Sequence, residues 1–301
     1  MRILLTGSNG FVGNILYKEL INDAEVVTIG RSNSNYNLDL AINIPNFEHA
    51  FDLVIHAAGK AHTVAKSSVE EQVFFDINLN GTRNLLKGLE QSESLPRAFL
   101  FISTVAVYGI DRGCKISEDA PLLAKEPYGL SKMLAEQVVI QWCRKNSVIC
   151  TILRLPLVAG SNPPGNLGAM IKGVKRGYYF NIAGGKARKS MVLATDVAQC
   201  LLSVSEIGGI YNLTDGYHPT FLELSRIIGN QLGRKNIPNL PLFFAKVFAV
   251  IGDLGGEKSP INSNLLIKIT ESVTFDDTKA RNVFGWNPTS VLDGFKIGDY
   301  G

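Results

Sequence analysis

The sequence predicts an α/β fold: a doubly wound parallel sheet with a smaller carboxyl-terminal domain. Three observations predict it. Apolar runs at 2–6, 25–30, 52–57, 98–103 and 148–153 alternate with stretches of helical periodicity, the pattern of strands joined by crossover helices. The first run leads straight into a glycine-rich turn, Thr6-Gly7-Ser8-Asn9-Gly10-Phe11-Val12-Gly13. Further on, Tyr128-Gly-Leu-Ser-Lys132 sets a tyrosine and a lysine four residues apart in a stretch that reads as helix.

Each element is explained by its residues. Arg2-Ile3-Leu4-Leu5 is short and apolar, as a buried parallel strand is. After the turn, Ile15, Leu16 and Leu20 recur at helical spacing. Strand, glycine turn and helix in that order make a phosphate-binding context. Glycine at 7 and 10 lets a backbone approach a pyrophosphate, Gly13 lets the helix pack on the sheet, and the helix amino terminus offers free N–H groups. The run Phe99-Leu-Phe-Ile ends in Ser103-Thr104; two hydroxyls at the carboxyl end of a strand stand where open α/β sheets bind ligands, although such a pair also serves as a turn or cap. The helix expected over 128–143 points Ala135, Val138, Val139 and Trp142 inward. On it Tyr128 and Lys132 share one face, and an ammonium beside a phenol favours the phenolate. Such a phenol can move a proton to or from a carbon-borne oxygen.

Composition narrows the class. The 301 residues are 46% hydrophobic and 19% charged with a formal net charge of +3. This describes an ordinary globule, with no basic block that would suit nucleic acid. Cys114, Cys143, Cys150 and Cys200 show no metal-ligand spacing, nor do His49, His56 and His62. The thiols read as reduced and mostly buried, in a cytoplasmic protein. Leu240–Ile251 is strongly apolar but too short for the ~20 residues of a membrane span, and reads as a buried helix of the smaller domain. After Pro156 the texture changes: Ser161-Asn-Pro-Pro-Gly165 is a loop, and Gly173, Gly177, Gly184 and Gly185 punctuate the stretch beyond it. The expected division is 1–156 plus 188–214 for the sheet domain, and 157–187 plus 215–301 for the smaller one.

With its G-x-x-G-x-x-G turn and Tyr-x-x-x-Lys helix, the chain resembles an extended short-chain dehydrogenase/reductase of the nucleotide-sugar epimerase/dehydratase family, a Rossmann fold. Further matches fall in family order: Val54-Ile-His-Ala-Ala-Gly59, Asn78-Leu-Asn-Gly81-Thr82, Leu153-Arg154-Leu-Pro156, Asn166-Leu167, Tyr211-Asn-Leu-Thr-Asp-Gly216, and Asp277-Thr-Lys279-Ala-Arg281 with Gly285-Trp286-Asn-Pro288. The resemblance implies Thr104, Tyr128 and Lys132 as the catalytic set, with Tyr128 and Lys132 also touching the cofactor. It places Gly7, Gly10, Phe11, Val12, Gly13, Asp39, Leu40, Ala57, Ala58, Gly59, Asn78 and Pro156 around an NADP or NAD molecule. Thr104, Asn166, Leu167 and either Arg188 or Lys189 would hold a UDP-sugar. No metal is implied; a homodimer is.

The implied chemistry is hydride transfer at C4 of a UDP-hexose or UDP-N-acetylhexosamine, by a 4-epimerase or 4-keto reductase of surface-polysaccharide synthesis. Dehydration does not fit, because Val105-Ala106 follow Thr104 where an acid and a base would be needed. Two departures stand out: Leu157 replaces a usual Asn, and the phosphate arginine falls on Lys189 with Arg188 beside it. A non-catalytic NADP(H)-binding sensor or scaffold, and a reductase of a non-nucleotide ketone, are the alternatives. The second strand ends in Gly30-Arg31-Ser32, with no acid before Asp39. A carboxylate there would read a ribose hydroxyl, whereas arginine pairs with a 2′-phosphate. Arg31→Asp should therefore shift preference from NADP(H) toward NAD(H) by ~10- to 150-fold in affinity, the worth of a charge-assisted bond. Titration of both cofactors into both proteins checks it; a wild type that already prefers NAD(H) would make Arg31 a bystander.

Overall fold

The computed structural model describes residues 1–61, 63–254 and 262–298; His62 lies outside the described residues. The chain enters as β1 (Arg2–Thr6), crosses over as α1 (Phe11–Leu20) and returns as β2 (Glu25–Gly30), β3 (Tyr36–Asn37) and β4 (Leu53–His56). Helix α2 (Ser68–Phe75) passes through a π turn at Asp76–Asn80 into α3 (Gly81–Glu90), and β5 (Ala98–Thr104) comes next. A 3-10 turn at Val105–Tyr108 and β6 (Gly113–Ile116) lead to α4 (Pro127–Asn146), β7 (Ile149–Leu155) and β8 (Leu157–Ala159). The remainder is α5 (Gly165–Arg176), β9 (Asn181–Ile182), β10 (Met191–Leu193), α6 (Ala194–Ser205), β11 (Gly209–Asn212), α7 (Phe221–Gln231) and β12 (Asn239–Leu240). Then come α8 (Leu242–Leu254), α9 (Ser263–Thr270), β13 (Val273–Phe275), α10 (Thr278–Phe284) and α11 (Val291–Gly294).

Seven parallel strands form the main sheet in the order β11-β7-β5-β4-β1-β2-β3. All five expected strands are present, shifted by two residues at most. Helices cover both faces, so β4 and β5 are buried along their whole length and read as continuous apolar runs. Alternation sorts the side chains. Ile3, Leu5, Ile55 and Leu100 pack with Leu16 of α1 and Val197 and Leu201 of α6. Leu4, Val54, Phe99 and Phe101 pack with Leu85 of α3 and with Ala135, Val139 and Trp142 of α4. Each fully buried large side chain contributes ~1.5–3 kcal/mol. A third core, with Leu167, Ile171, Leu193, Leu224, Ile228 and Phe295, joins α5, α7, α11 and the β8–β10 pair.

Three expectations change. Within 188–214 only β11 returns to the main sheet; β10 pairs with β8 in a separate two-stranded ladder. Pro156 has no N–H to continue a ladder, so β7 ends at Leu155 and β8 diverges. Residues 277–286, grouped with the smaller domain, pack Ala280 and Trp286 into the α1–α6 side of the main core, and the Trp286 indole donates to the Thr214 carbonyl at 2.9 Å. Helix α8 is not a buried helix. Among its described side chains only Ala245, Ala249 and Gly252 are buried, a small-residue stripe whose two alanines pack on Leu266 of α9. Phe243, Val250 and Ile251 are 71%, 59% and 58% exposed. The close approach that the small residues permit turns the large ones outward. Among the described residues no helix is long and apolar enough to cross a membrane.

Candidate active site

The glycine turn at the end of β1 is shaped by close approach. Gly7 has φ +75°, and a Cβ there would lie 2.7 Å from the Ala58 backbone; one on Gly13 would lie 2.0 Å from the Gly7 carbonyl. Gly10 caps α1 with no side-chain hydrogen bond, and the first turn of the helix holds no acid. This leaves a helix amino terminus against a backbone cradle that excludes side chains, which fits a dinucleotide pyrophosphate. Phe11 leans toward Gly160, and Val12 packs on the main core. Arg31 is exposed just past β2, in a loop tied to the cradle by Asn9 Nδ2 donating to the Ser32 carbonyl at 2.5 Å. Asp39 and Leu40 are half-buried alongside α3, whose Asn84 donates to the Leu40 carbonyl.

The strand-end segment Ala57-Ala58-Gly59 is held from below by a chain of hydrogen bonds through His56. The Ala58 N–H donates to Thr6 Oγ1 at 3.0 Å, Thr6 Oγ1 lies 2.6 Å from His56 Nδ1, and His56 Nε2 lies 2.9 Å from Thr82 Oγ1, which donates to the Asn78 carbonyl. With the Thr82 proton committed, His56 donates from Nε2 and accepts at Nδ1. Burial, reinforced by Lys132, pushes its pKa down to about 3, so the ring is neutral. Asn78 is fully engaged: its amide donates to the Lys60 carbonyl and to Ser131 Oγ, and its Oδ1 accepts from the Lys60 N–H. It fastens the 57–60 loop to α4 from within the π turn.

Thr104, Tyr128 and Lys132 come together at the carboxyl end of β5. Pro127 opens α4, and Gly129 lays its first turn directly on the 3-10 turn: a Cβ there would lie 2.6 Å from the Ala106 carbonyl. That contact brings Tyr128 beside Thr104. Thr104 also caps the turn, accepting from the Ala106 N–H at 3.2 Å. The expected lowering of the Tyr128 pKa is not observed. Burial raises the phenol, with only the Thr104 side chain opposing. Lys132 is buried and aimed elsewhere: Nζ donates to the Ile102 carbonyl at 2.7 Å and sits 3.7 Å from the Phe101 ring centroid. Burial pushes its pKa down to about 7, opposed by Glu136.

Glu136, which no sequence motif marks, lies one turn beyond Lys132. Its carboxylate accepts from Arg154 Nη2 at 2.8 Å and from Ser103 Oγ, and the two charged side chains are 1% and 3% exposed. Arg154 Nη1 donates to the Tyr108 hydroxyl at 3.0 Å, which donates to Asn212 Oδ1 at 2.8 Å. The signal for Glu136 in the sequence is an acid on the inward face of α4, at the same spacing as Lys132.

Beside this group lies a cavity of about 610 Å³, reached by Val105 and Pro156 at the strand ends and walled by α5, α7 and α9. Asn166 and Leu167 line it from the first turn of α5, and Lys189 from the segment before β10. Arg188 points away: it donates to the His218 carbonyl at 2.9 Å and lies over the Tyr217 ring. Burial pushes the Lys189 pKa down to about 8, with Asp111 and Glu271 opposing. Among the described residues no group of three His, Cys, Asp or Glu side chains could hold a metal ion. All four cysteines are free; Cys143 alone is fully buried and Cys114 is exposed, fewer buried thiols than expected because Cys114 sits on short β6.

The model of the NAD dependent epimerase/dehydratase family matches residues 3–213, and the chain belongs to that family. It is 26% identical to the N-acetyl-alpha-D-glucosaminyl-diphospho-ditrans,octacis-undecaprenol 4-epimerase of Escherichia coli O157:H7, over 93% of this chain and 88% of that one. It is 24% identical to the UDP-glucose 4-epimerase of Vibrio cholerae, over 98% and 93%. Among solved structures, the UDP-glucose 4-epimerase of Thermotoga maritima superposes with TM-score 0.75 at 22% identity, over 98% of this chain and 96% of that one. RMD from Pseudomonas aeruginosa, complexed with NADPH, gives 0.74 at 21% identity, over 97% and 96%. The two solved structures share this chain's fold.

The neutral His56 makes stability depend on pH. The folded ring takes a proton only near pH 3 and the free ring near 6.5, so between these values the unfolded chain binds more protons and stability rises with pH. The contribution is complete above pH 6.5 and is lost progressively as pH falls toward 3. Urea midpoints across that range should fall with acidification, and His56→Asn, though less stable throughout, should show a shallower slope. An unchanged slope would assign the titration to another group.

Proposed function

We propose that this chain transfers a hydride at C4 of a hexose or N-acetylhexosamine carried on a diphosphate, of the UDP-sugar class, as a 4-keto reductase or 4-epimerase. The observation that carries the reading is the Thr104–Tyr128–Lys132 group at the sheet's carboxyl edge, next to a cavity that Val105 and Pro156 line at the strand ends and that Asn166, Leu167 and Lys189 also line. The relatives from Escherichia coli and Vibrio cholerae both act on sugars joined to a diphosphate, one on a polyprenol and one on uridine, so the diphosphate is the shared feature of their names.

Gly7, Gly10, Gly13 and the α1 amino terminus would hold the pyrophosphate, Ala57–Gly59 the inner ribose, and Arg31 a 2′-phosphate. Bound there, a nicotinamide dinucleotide supplies or accepts the hydride. Tyr128 then gives its phenolic proton to the C4 oxygen during reduction and takes it back during oxidation, while Thr104 orients the same oxygen. Burial keeps the phenol protonated, which supports the reductive stroke, as does an arginine suited to exchangeable NADP(H). Lys132, donating to the Ile102 carbonyl, would stand beside the cofactor. At the other end, the N–H groups of the first α5 turn and Lys189 neutralise the diphosphate, whose oxygens need charged partners once water is excluded. In this reading the main-sheet unit, 1–156 with β11 and the 277–286 segment, binds cofactor, the side built from α5, α7 and α9 binds substrate, and the protein is a cytoplasmic homodimer paired through helices flanking α4.

Tyr128→Phe should retain cofactor binding and lose at least ~10²-fold in turnover, the size expected of a general acid. Near-normal turnover would sink the mechanism.

Lys189→Ala should raise the Michaelis constant far more than it lowers turnover, because a diphosphate clamp holds ground and transition states alike. Arg188→Ala should change neither by more than about twofold. Equal losses in the two variants would mean that the clamp is shared.

A further inference from the structure

Asn212 ends β11, the edge strand of the main sheet, and is fully buried. It is the register partner of Arg154 on β7. Paired residues of parallel strands point to the same face, here the one that α4 covers. An edge strand carries main-chain groups without a ladder partner, and the Asn212 N–H is satisfied by Glu118 Oε1 at 2.8 Å. The side chain goes elsewhere. Its Oδ1 accepts from the Tyr108 hydroxyl at 2.8 Å, while Nδ2 donates to the Ile116 carbonyl at 3.1 Å and to the Asp276 carbonyl at 3.2 Å. These partners fix the orientation of the amide. Arg154 Nη1 can only donate, so the Tyr108 oxygen accepts from it at 3.0 Å and gives its own proton to Asn212. Two carbonyls face the amide nitrogen and take its two protons.

Those two carbonyls belong to one wall of the cavity. Ile116 lies on β6, and Asp276 follows β13 directly. The two strands pair with each other, and among the described residues they share no ladder with the main sheet. Val273 and Phe275 of β13 line the cavity, as does Asp111 just before β6. Phe275 also stacks on the Tyr108 ring, with centroids 5.4 Å apart, and its N–H donates to Ser190 Oγ, beside Lys189, at 2.8 Å. In the other direction the hydrogen bonds run from Tyr108 through Arg154 to Glu136 on α4, one turn past Lys132. One amide thus joins the network anchored on the helix of Tyr128 and Lys132 to a wall that a bound substrate would touch.

We propose that Asn212 is a positioning residue: it holds the β6–β13 wall in register with α4, and so sets substrate affinity without touching substrate. This rests on the cavity being the substrate site of the proposed reaction. The amide is the group that the place demands, because one short side chain must offer an acceptor to Tyr108 and two protons to the wall. Aspartate has the same shape but, when ionised, no proton to give, and its oxygen would face two carbonyls. Protonated, it regains one donor, and burial raises the pH at which it ionises. In Asn212→Asp the hold on the wall therefore becomes dependent on pH, which a side chain that only fills space would not show.

Calorimetry on the full-length protein with NADPH present tests this, with UDP-N-acetylglucosamine as the probe. Relative to wild type at the same pH, Asn212→Asp should weaken the probe at least about tenfold near pH ~7.5 but no more than about threefold near pH ~5.5. NADPH affinity should stay within about twofold at both. Tyr108→Phe removes one hydroxyl from the same chain of bonds and should weaken the probe at least about threefold. Near pH ~7.5 the double variant should be within about twofold of Asn212→Asp, because both changes break one path. Equal losses of probe and cofactor, a probe ratio indifferent to pH, or multiplied losses in the double variant would overturn the inference. If Asn212→Asp does not fold, Tyr108→Phe decides: a weakened probe with cofactor unchanged supports the role, and an unchanged probe overturns it. If wild type binds no UDP-sugar, the proposed substrate falls, and hydrogen exchange at 113–116 and 273–276 decides for Asn212. Faster exchange in Asn212→Asp than in wild type near pH ~7.5, matched to wild type near pH ~5.5, upholds the hold on the wall; equal exchange at both overturns it.

Discussion

The buried Glu136–Arg154 pair is the constraint on which the site depends. It joins α4 to β7, and through Ser103, Tyr108 and Asn212 it reaches β5, the 3-10 turn and β11. An ion pair at this depth is costly to desolvate and is not itself a large source of stability, yet removing one partner leaves a buried charge at a cost of ~3–5 kcal/mol. The pair therefore fixes how far α4 slides along the sheet and how it turns. Tyr128 and Lys132 lie two turns and one turn before Glu136 on the same helix, so their positions are set by the same lock. Gly129 completes it by letting that helix touch the Ala106 carbonyl.

Burial, more than pairwise charge, then sets the protonation of the site. The same desolvation lowers His56 and Lys132 and raises Tyr128. A neutral histidine, a lysine near neutrality and a protonated phenol result, gathered where the strand ends meet one helix. His56 acts by holding the strand-end loop with fully committed hydrogen bonds. Tyr128, beside Thr104, is kept protonated by burial, as the proposed reduction requires.

The cavity answers a different logic. Its lining is mostly apolar, with Asp111, Asn166, Lys189, Ser190 and Lys268 as its charged and polar interruptions, and Ile182, Leu240 and Ile269 of that lining pack on the α8–α9 cluster. Small residues at 245, 249 and 252 decide that contact, because they let α8 pack on α9 without using any of its large side chains.

By itself the sequence determined the parallel sheet, the glycine cradle and the helix that carries Tyr128 and Lys132, because each is written in local periodicity and spacing. Strand alternation, G-x-x-G-x-x-G and Tyr-x-x-x-Lys all report backbone geometry over a few residues. Tertiary structure decided what depends on distant partners. Glu136 became an anchor only because Arg154, eighteen residues on in β7, meets it on the face that α4 covers. The choice between Arg188 and Lys189 rested on which side of the segment before β10 faces the cavity. The phenol's acidity reversed from expectation because burial outweighed a lysine whose ammonium turns to the Ile102 carbonyl. Helix α8 came to the surface because amphipathicity cannot be read from a helix that is apolar all round; only its neighbours show which face is left over.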